Sequence, residues 1–387
     1  VILAAAVTTQ ASVSALYQGL PAVGPSLQTT FDLDPAGVGL LLGGVGLGSA
    51  LSVIGWGRLL DRIGDRTVGM TGLLGTAGCL ALSVVAVATR SYPLMVLTLI
   101  CAGAFVSAAT VAITKSMARA FAGTPRFGLA FGIRQAAVPL GGVTAAVVLP
   151  IIAVRVSLGL ALSLLVAATG IAAIVVMRVV RREQSTTSIA DRPPAPWRRI
   201  WRMLAAAGAY GFTQIGVVAL VTLFLFNARG WTPVSAGVAY AGVMAAVVVV
   251  RVAIGHLADR YVARRVAMFR WVGWAVAVLL LLAAVFSAQP VSVPLLLIAA
   301  VASMTWNPVM FTVSVAVVPP ERVGVTQGAL TAVIFLAGGL APILTAAVVT
   351  AYSWSVAWSL LAAISVFGAL IMSSVAAAPA RDGGQSR

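Results

Sequence analysis

Twelve apolar runs follow one another along this chain of 387 residues, each long enough to cross a bilayer. That feature limits the fold more than any motif does. About 18 apolar residues suffice to span the hydrocarbon core. Inside it every backbone N–H and C=O must be satisfied internally, which leaves helices and closed barrels. Barrel strands would alternate apolar and polar residues over about 10 positions, whereas these runs are continuous and read as helices. The spans are predicted at 1–27, 36–57, 67–89, 92–116, 127–152, 156–178, 203–227, 234–256, 266–287, 292–317, 323–351 and 353–376. Composition agrees: 61% of residues are hydrophobic and 9% charged, where a soluble domain carries about 25% charged.

The net charge of +16 invites a nucleic-acid reading, and its distribution defeats it. Of 25 cationic residues, 20 fall after the even-numbered spans or in the C-terminal tail. Three (Arg90, Arg155, Arg229) fall in the opposite loops, and Arg134 and Arg251 lie within spans. Such asymmetry is the positive-inside pattern, so both termini are expected in the cytoplasm. The charge then serves topology, with lipid headgroups rather than nucleic acid as its partner. Cys79 and Cys101 both lie in spans and suggest neither disulfide nor metal site. The first span is too long and too polar for a cleaved signal peptide. Because the chain begins at Val1, a short N-terminal piece is expected to precede it. Arginine far outnumbers lysine amid abundant Ala, Val and Gly, which points to a bacterial source and hence to its inner (plasma) membrane.

One polar stretch, "RREQSTTSIADRPPAPWRR", interrupts the pattern with Ser, Thr, Pro and charge, and reads as a linker. It divides the chain into a six-span unit at 1–180, a linker at 181–202 and a second six-span unit at 203–387. If the units are duplicates, matching loops should match. "GRLLDRIGDR" after span 2 and "GHLADRYVARR" after span 8 share Gly-x-x-x-Asp-Arg at an offset of 198 residues. Pro35 and Pro233, Gly39 and Gly237, and Gly44 and Gly242 match at the same offset. "RFGLAFG" and "RVGVTQG" match at an offset of 196 and open spans 5 and 11. Paired repeats of membrane helices around a central pathway are a transporter architecture.

On these residues the chain resembles the major facilitator superfamily of secondary transporters, whose signature after helix 2 is G-x-x-x-D-R-x-G-R-[RK]. Here it reads Gly57, Asp61, Arg62, Gly64 and Arg66, with Asp65 where the family prefers a basic residue. The second copy keeps Gly255, Asp259 and Arg260. The resemblance implies an all-α fold of twelve helices in two pseudo-symmetric bundles. It also implies a seam of helices 2 with 11 and 5 with 8, and a pathway lined by helices 1, 4, 7 and 10. An aspartate at such a turn can accept from a helix N-terminus or pair with an arginine across the halves. These residues, with Arg251 one turn before Gly255, are therefore the candidates for conformational gating. Gly39, Gly43, Gly44, Gly46 and Gly48, with the glycines of spans 5 and 11, are expected to bring helices close. Pro139 before Gly141–Gly142 approximates the helix-5 motif of the superfamily's antiporters, with Val138 in place of a glycine. It frees an acceptor at Gln135 and predicts a bend.

The candidate binding site starts from Arg134, about 12 Å into span 5 at 1.5 Å per residue. A charge at such depth costs about 2.5–3.5 kcal/mol and marks function by default. None of the nine acidic residues lies mid-span. Arg134 must therefore use carbonyls, amides such as Gln135, water, or an anion supplied by the cargo. Lys115 and Arg251 lie nearer span ends, where snorkelling accounts for them. Polar residues at pathway positions complete the set: Gln10, Tyr17 and Gln18 on span 1, Tyr210 and Gln214 on span 7, and Trp306 and Asn307 in the "TWNP" of span 10. With a single histidine and no nucleophile–base constellation, an enzyme is disfavoured. The expectation is an alternating-access transporter of a small organic or inorganic anion, working as a monomer, with multidrug-type efflux as the alternative. No cofactor or metal is called for, and coupling to a proton or a counter-anion is the open question.

Overall fold

The computed structural model describes residues 2–121, 124, 127–180, 197–261, 265–307, 310, 313, 318 and 323–373. Residues 181–196 of the linker expected at 181–202, and the tail from 374, lie outside the described residues. The first half contains α1 (Ile2–Ala22), α2 (Gly24–Phe31), α3 (Pro35–Ile63), α4 (Asp65–Ala88), α5 (Tyr92–Phe121), α6 (Phe127–Arg155) and α7 (Leu158–Val179). The second contains α8 (Trp197–Arg229), α9 (Pro233–Arg260), α10 (Arg265–Val285), α11 (Ser292–Ser303), α12 (Val323–Ala351) and α13 (Trp354–Ser373). Ten of these helices are long and apolar enough to cross a membrane. The polar-faced α1 and the interrupted tenth span complete the twelve. Span 1 breaks between Pro21 and Pro25, giving α1 and α2. Residues 197–202, expected at the end of the linker, already belong to α8.

Local chemistry sets the helix starts in matching ways. Asp34 caps α3 by accepting from Gly37 N at 2.8 Å, with Pro35 at the first position. Thr232 caps α9 by accepting from Ser235 N at 3.1 Å, with Pro233 at the first position. A capping oxygen satisfies an orphan N–H, and proline there forfeits no bond. The repeat found at Pro35 and Pro233 is thus a repeat of helix-start geometry.

Packing repeats too. In the first half α4 lies on α5 and α7, α1 on α6 and α7, and α3 on α5. In the second half α10 lies on α11 and α13, α8 on α12 and α13, and α9 on α11. Each pairing is the counterpart of one in the other half. The halves meet mainly through α3 with α12 and α6 with α9, the seam implied by the family resemblance.

Glycine makes that seam possible. A Cβ on Gly43 would fall on the backbone oxygen of Gly339, and one on Gly46 on the backbone of Gly338–Gly339. The backbones therefore approach as only small residues permit. Gly44 and Gly48 face Ile100 of α5 instead, so two of the five α3 glycines expected at close contacts serve packing within one bundle. Three hydrogen bonds between the halves lie toward one end of the bundle. Thr222 Oγ1 donates to Pro21 O at 2.5 Å, Ala36 N to Thr350 Oγ1 at 3.0 Å, and Asn227 Nδ2 to Gln28 Oε1 at 2.9 Å. Toward the other end, where the Asp-Arg turns sit, Leu51, Ile54, Val249 and Val252 are exposed. The halves are closed at the first end and splayed at the second.

Candidate functional site

Midway along the seam, α1, α6 and α9 converge. Tyr240 OH donates to Gln18 Oε1 at 2.9 Å, joining the halves, and a Cβ on Gly142 would lie 3.2 Å from Gln18 and 3.4 Å from the Met244 sulfur. One position earlier on α1, the Tyr17 hydroxyl lies 2.6 Å from Ser49 Oγ. Its ring stacks on Phe335 of α12 with centroids 6.3 Å apart. Gln10 is turned along its own helix, donating to Ser14 Oγ at 3.3 Å.

A second cluster belongs to the other half. Trp306 Nε1 and Asn307 Nδ2 both donate to Gln214 Oε1, at 2.8 and 3.0 Å. Trp306 is buried, while Asn307 and Gln214 are half-buried. Tyr210 sits deeper in the same bundle: its hydroxyl donates to Phe269 O at 3.2 Å and its ring meets those of Phe269 and Trp306. The geometry thus brings Gln214, Trp306 and Asn307 together, pairs Gln18 with Tyr240, and packs Tyr210 into the core behind them.

The tenth span is broken in its middle. After Ser303 the chain makes two tight turns, with Met304 N and Thr305 N each bonding three residues back at 3.1 Å. The carbonyl end of α11 is left inside the bundle, and Arg251 Nε of α9 donates to Met304 O at 2.9 Å. A cation at a helix C-terminus is favourable, and more so where water is scarce. Snorkelling was the expectation for Arg251; instead the guanidinium caps a helix end.

Arg134 has no such partner. It is 7% exposed, and its Nε is buried without a hydrogen bond. No hydrogen bond or ion pair is found for it among the described residues; the side chain of Gln135 lies outside them. On α6 it shares a face with Ala130, Ala137, Gly141 and Ala145, and this stripe packs on α1: a Cβ at Gly141 would fall on Ala11 O. Counting down from the Gly142–Met244 contact, Arg134 lies eight residues along α6 and Arg251 seven along α9. Both arginines are therefore about 10–12 Å toward the splayed end.

At that end lies the motif turn. Gly64, at φ +84°, links α3 to α4 with no other residue between, and Asp65 opens α4. Lys115 Nζ donates to Asp61 Oδ1 at 2.8 Å, and Arg119 Nη2 to Asp65 Oδ2 at 2.5 Å. Ser116 Oγ also bonds Asp65, and Asp65 Oδ1 accepts from Arg66 N at 3.0 Å. Two carboxylates four residues apart thus meet two cations four residues apart, helix face to helix face. The sequence marks Asp65 only as a departure from the signature and Lys115 only as a snorkelling residue; instead Lys115 pairs with Asp61 and Asp65 with Arg119, which makes both functional candidates. The matched four-residue spacings were the available signal. Arg62 is exposed beside them, and Gly57 faces open space. In the second copy Arg260 lies over the Tyr261 ring at 5.7 Å, while the Asp259 side chain and the surroundings of Gly255 lie outside the described residues.

Comparison with known proteins places this architecture. The family model of the Major Facilitator Superfamily matches residues 5–329 and 203–386. Two uncharacterized MFS-type transporters, of Mycobacterium tuberculosis strains CDC 1551 and H37Rv, are each 30% identical over 266 residues. The match takes in 67% of this chain and spans 59% of the relatives' length. Among solved structures, a POT family transporter in complex with 5-aminolevulinic acid aligns with a TM-score of 0.78 at 11% identity, over 96% of this chain and 95% of that one. A bacterial homologue of the human lysosomal transporter Spinster, inward-facing and unoccupied, gives 0.71 at 17%, over 97% and 95%. A human organic anion transporter gives 0.72 at 14%, over 96% and 98%. The duplicated helix contacts, the two-seam junction, the Gly-x-x-x-Asp-Arg turns and these matches agree: the chain belongs to the Major Facilitator Superfamily.

Proposed function

We propose that this chain is a secondary transporter that carries a small organic or inorganic anion by alternating access, with Arg134 supplying the charge that holds it. The observation that carries this reading is the buried Arg134 guanidinium, whose Nε has no partner. A cation at membrane depth without a counter-charge is costly unless cargo supplies one. Two six-span units, α1–α7 and α8–α13, rock about the α3–α12 and α6–α9 seams. Positive-inside topology puts the Asp-Arg turns in the cytoplasm, so the splayed end is the cytoplasmic one and the conformation is open inward. The setting is a bacterial inner membrane with both termini inside, and the chain works as a monomer without a bound cofactor. Mid-span carboxylates that could alternate between proton and cargo are missing from the sequence. Coupling would then come from an anion that brings its own proton or exchanges against a counter-anion.

Gating falls to the motif turns. In the inward-open state Asp61 is held by Lys115 of its own half, and on closure of the cytoplasmic side it becomes available to the opposite half. A second reading, export of hydrophobic compounds, is favoured by the Tyr17–Phe335 stack between the halves. Proteoliposomes separate the two. Labelled monocarboxylate uptake and dye efflux are compared for the wild type and Arg134→Ala. Loss of anion uptake in the variant supports the proposal, and uptake unchanged by Arg134→Ala overturns it.

A further inference from the structure

Between α1, α6 and α7 runs a groove of about 470 Å³, lined by apolar side chains with Thr8, Ser12 and Thr144 as its few polar members. Leu140, Leu164 and Ile171 on its rim are exposed, so it opens on the bundle surface rather than into the seam between halves. Three features place Arg134 at its lower end. On an α6 wheel of 100° per residue, Arg134 lies within about 20° of Gly141 and of Ala145, both of which line the groove. One turn below Arg134, Ala130 belongs to a closed core with Ala5, Ala6, Ala172 and Ala173. On the two neighbouring helices the groove ends at Thr8 and Ile171, just above that core. Arg134 therefore sits on the boundary between an open apolar slot and sealed packing.

Resting on the anion reading above, we infer that the ligand is an amphiphilic monoanion with one alkyl chain, a long-chain carboxylate entering sideways from the bilayer. Its carboxylate meets Arg134 and its chain lies in the groove. The dimensions agree. From Leu140 to Leu149 the groove runs nine residues along α6, about 13 Å, close to the ~15 Å hydrocarbon depth of one leaflet. Charge complementarity selects the occupant. A neutral lipid chain would cover the groove and leave Arg134 unpaired, whereas a carboxylate at the foot of the chain satisfies both. A wholly polar anion would leave the groove unused.

The test uses purified full-length protein in nanodiscs, with tritiated dodecanoate as probe and acetate and dodecanol as competitors. Saturable dodecanoate binding is expected, at least tenfold weaker in Arg134→Gln and in Ala168→Trp, which fills the groove from α7. Ala167→Trp, on the exposed side of α7, serves as the folding control and is expected to bind as the wild type does. Dodecanol competing as well as unlabelled dodecanoate would show that charge is not read and would overturn the inference, as would undiminished binding in Ala168→Trp. If wild type in proteoliposomes takes up acetate through Arg134, yet in nanodiscs never binds dodecanoate, this inference fails while the anion reading stands. If dodecanoate binding ignores Arg134→Gln, both fail.

Discussion

Lys115 Nζ lies 2.8 Å from Asp61 Oδ1, and both belong to the first half of the molecule. The Asp61 side chain is 5% exposed and that of Lys115 26%, so the pair is shielded on one side only. Removing either member takes this contact from the other. Asp61→Asn and Lys115→Met are each expected to slow uptake several-fold, and the double variant to lose less than the sum. A coupling energy of about 1–2 kcal/mol is expected for neighbours of this kind. Initial uptake rates and melting temperatures of the four proteins check it, and strict additivity would remove the pair from the mechanism.

Asp65 stands where the family signature has a basic residue, and in the structure a carboxylate suits this place. It opens α4, where negative charge is favourable, and it is held by Arg119 and Ser116. Installing arginine at this place sets two guanidiniums together. Asp65→Arg is expected to lower thermal stability by at least 2 kcal/mol equivalent, the range for a buried unpaired charge. Asp65→Asn should lose about half as much, because its amide oxygen still accepts. Melting of the purified variants decides between them.

Substitutions at the closed end should act on conformation rather than on binding. Gly46→Val puts side-chain atoms into the backbone of Gly338–Gly339. It should hold α3 away from α12 and expose residues near Gly39 to a membrane-impermeant thiol reagent applied from the closed side. Gly55→Ala meets nothing within 4 Å and should leave the labelling pattern as it is. Equal labelling of the two variants at a cysteine placed at Val38 would count against the seam as the outer gate.

Arg251→Leu removes the donor from Met304 O at the carbonyl end of α11. A charge-assisted bond is worth about 1.5–3 kcal/mol, so uptake is expected to fall about tenfold or more. Arg251→Lys should recover part of it, since the positive charge is kept while the directed Nε–H is lost. An Arg251→Leu protein as active as wild type would leave the broken tenth span without a role for this contact.

Much of the fold was legible because the bilayer is a strict solvent. Apolar length announces helices, and the matched Gly-x-x-x-Asp-Arg loops with Pro35 and Pro233 announced the duplication, since proline suits the first position of a helix in either half. Other parts were not legible. Span 10 read as one run because nothing in "SMTW" breaks a hydrophobic pattern; at the interruption Arg251 arrives from α9 to bond the Met304 carbonyl, and Gln214 from α8 to accept from the Trp306 and Asn307 side chains. Gly39, Gly43, Gly44, Gly46 and Gly48 look alike in sequence. Which of them touch α12 and which touch α5 depends on how α3 is rotated between two neighbours.

By itself the sequence determined a helical membrane protein, two related halves, the Asp-Arg turns and an intramembrane arginine with no acid at its depth. Each of these follows from what hydrocarbon forbids: unsatisfied backbone, stray charge and accidental polar spacing. Tertiary structure alone decided the pairings. Lys115 was assigned to Asp61, Arg119 to Asp65, Arg251 to a helix end and Arg134 to none among the described residues. These partners come from helices distant in sequence, so their meeting is set by helix rotation and depth. That geometry distinguishes an arginine that completes a fold from one left with unmet hydrogen-bonding capacity.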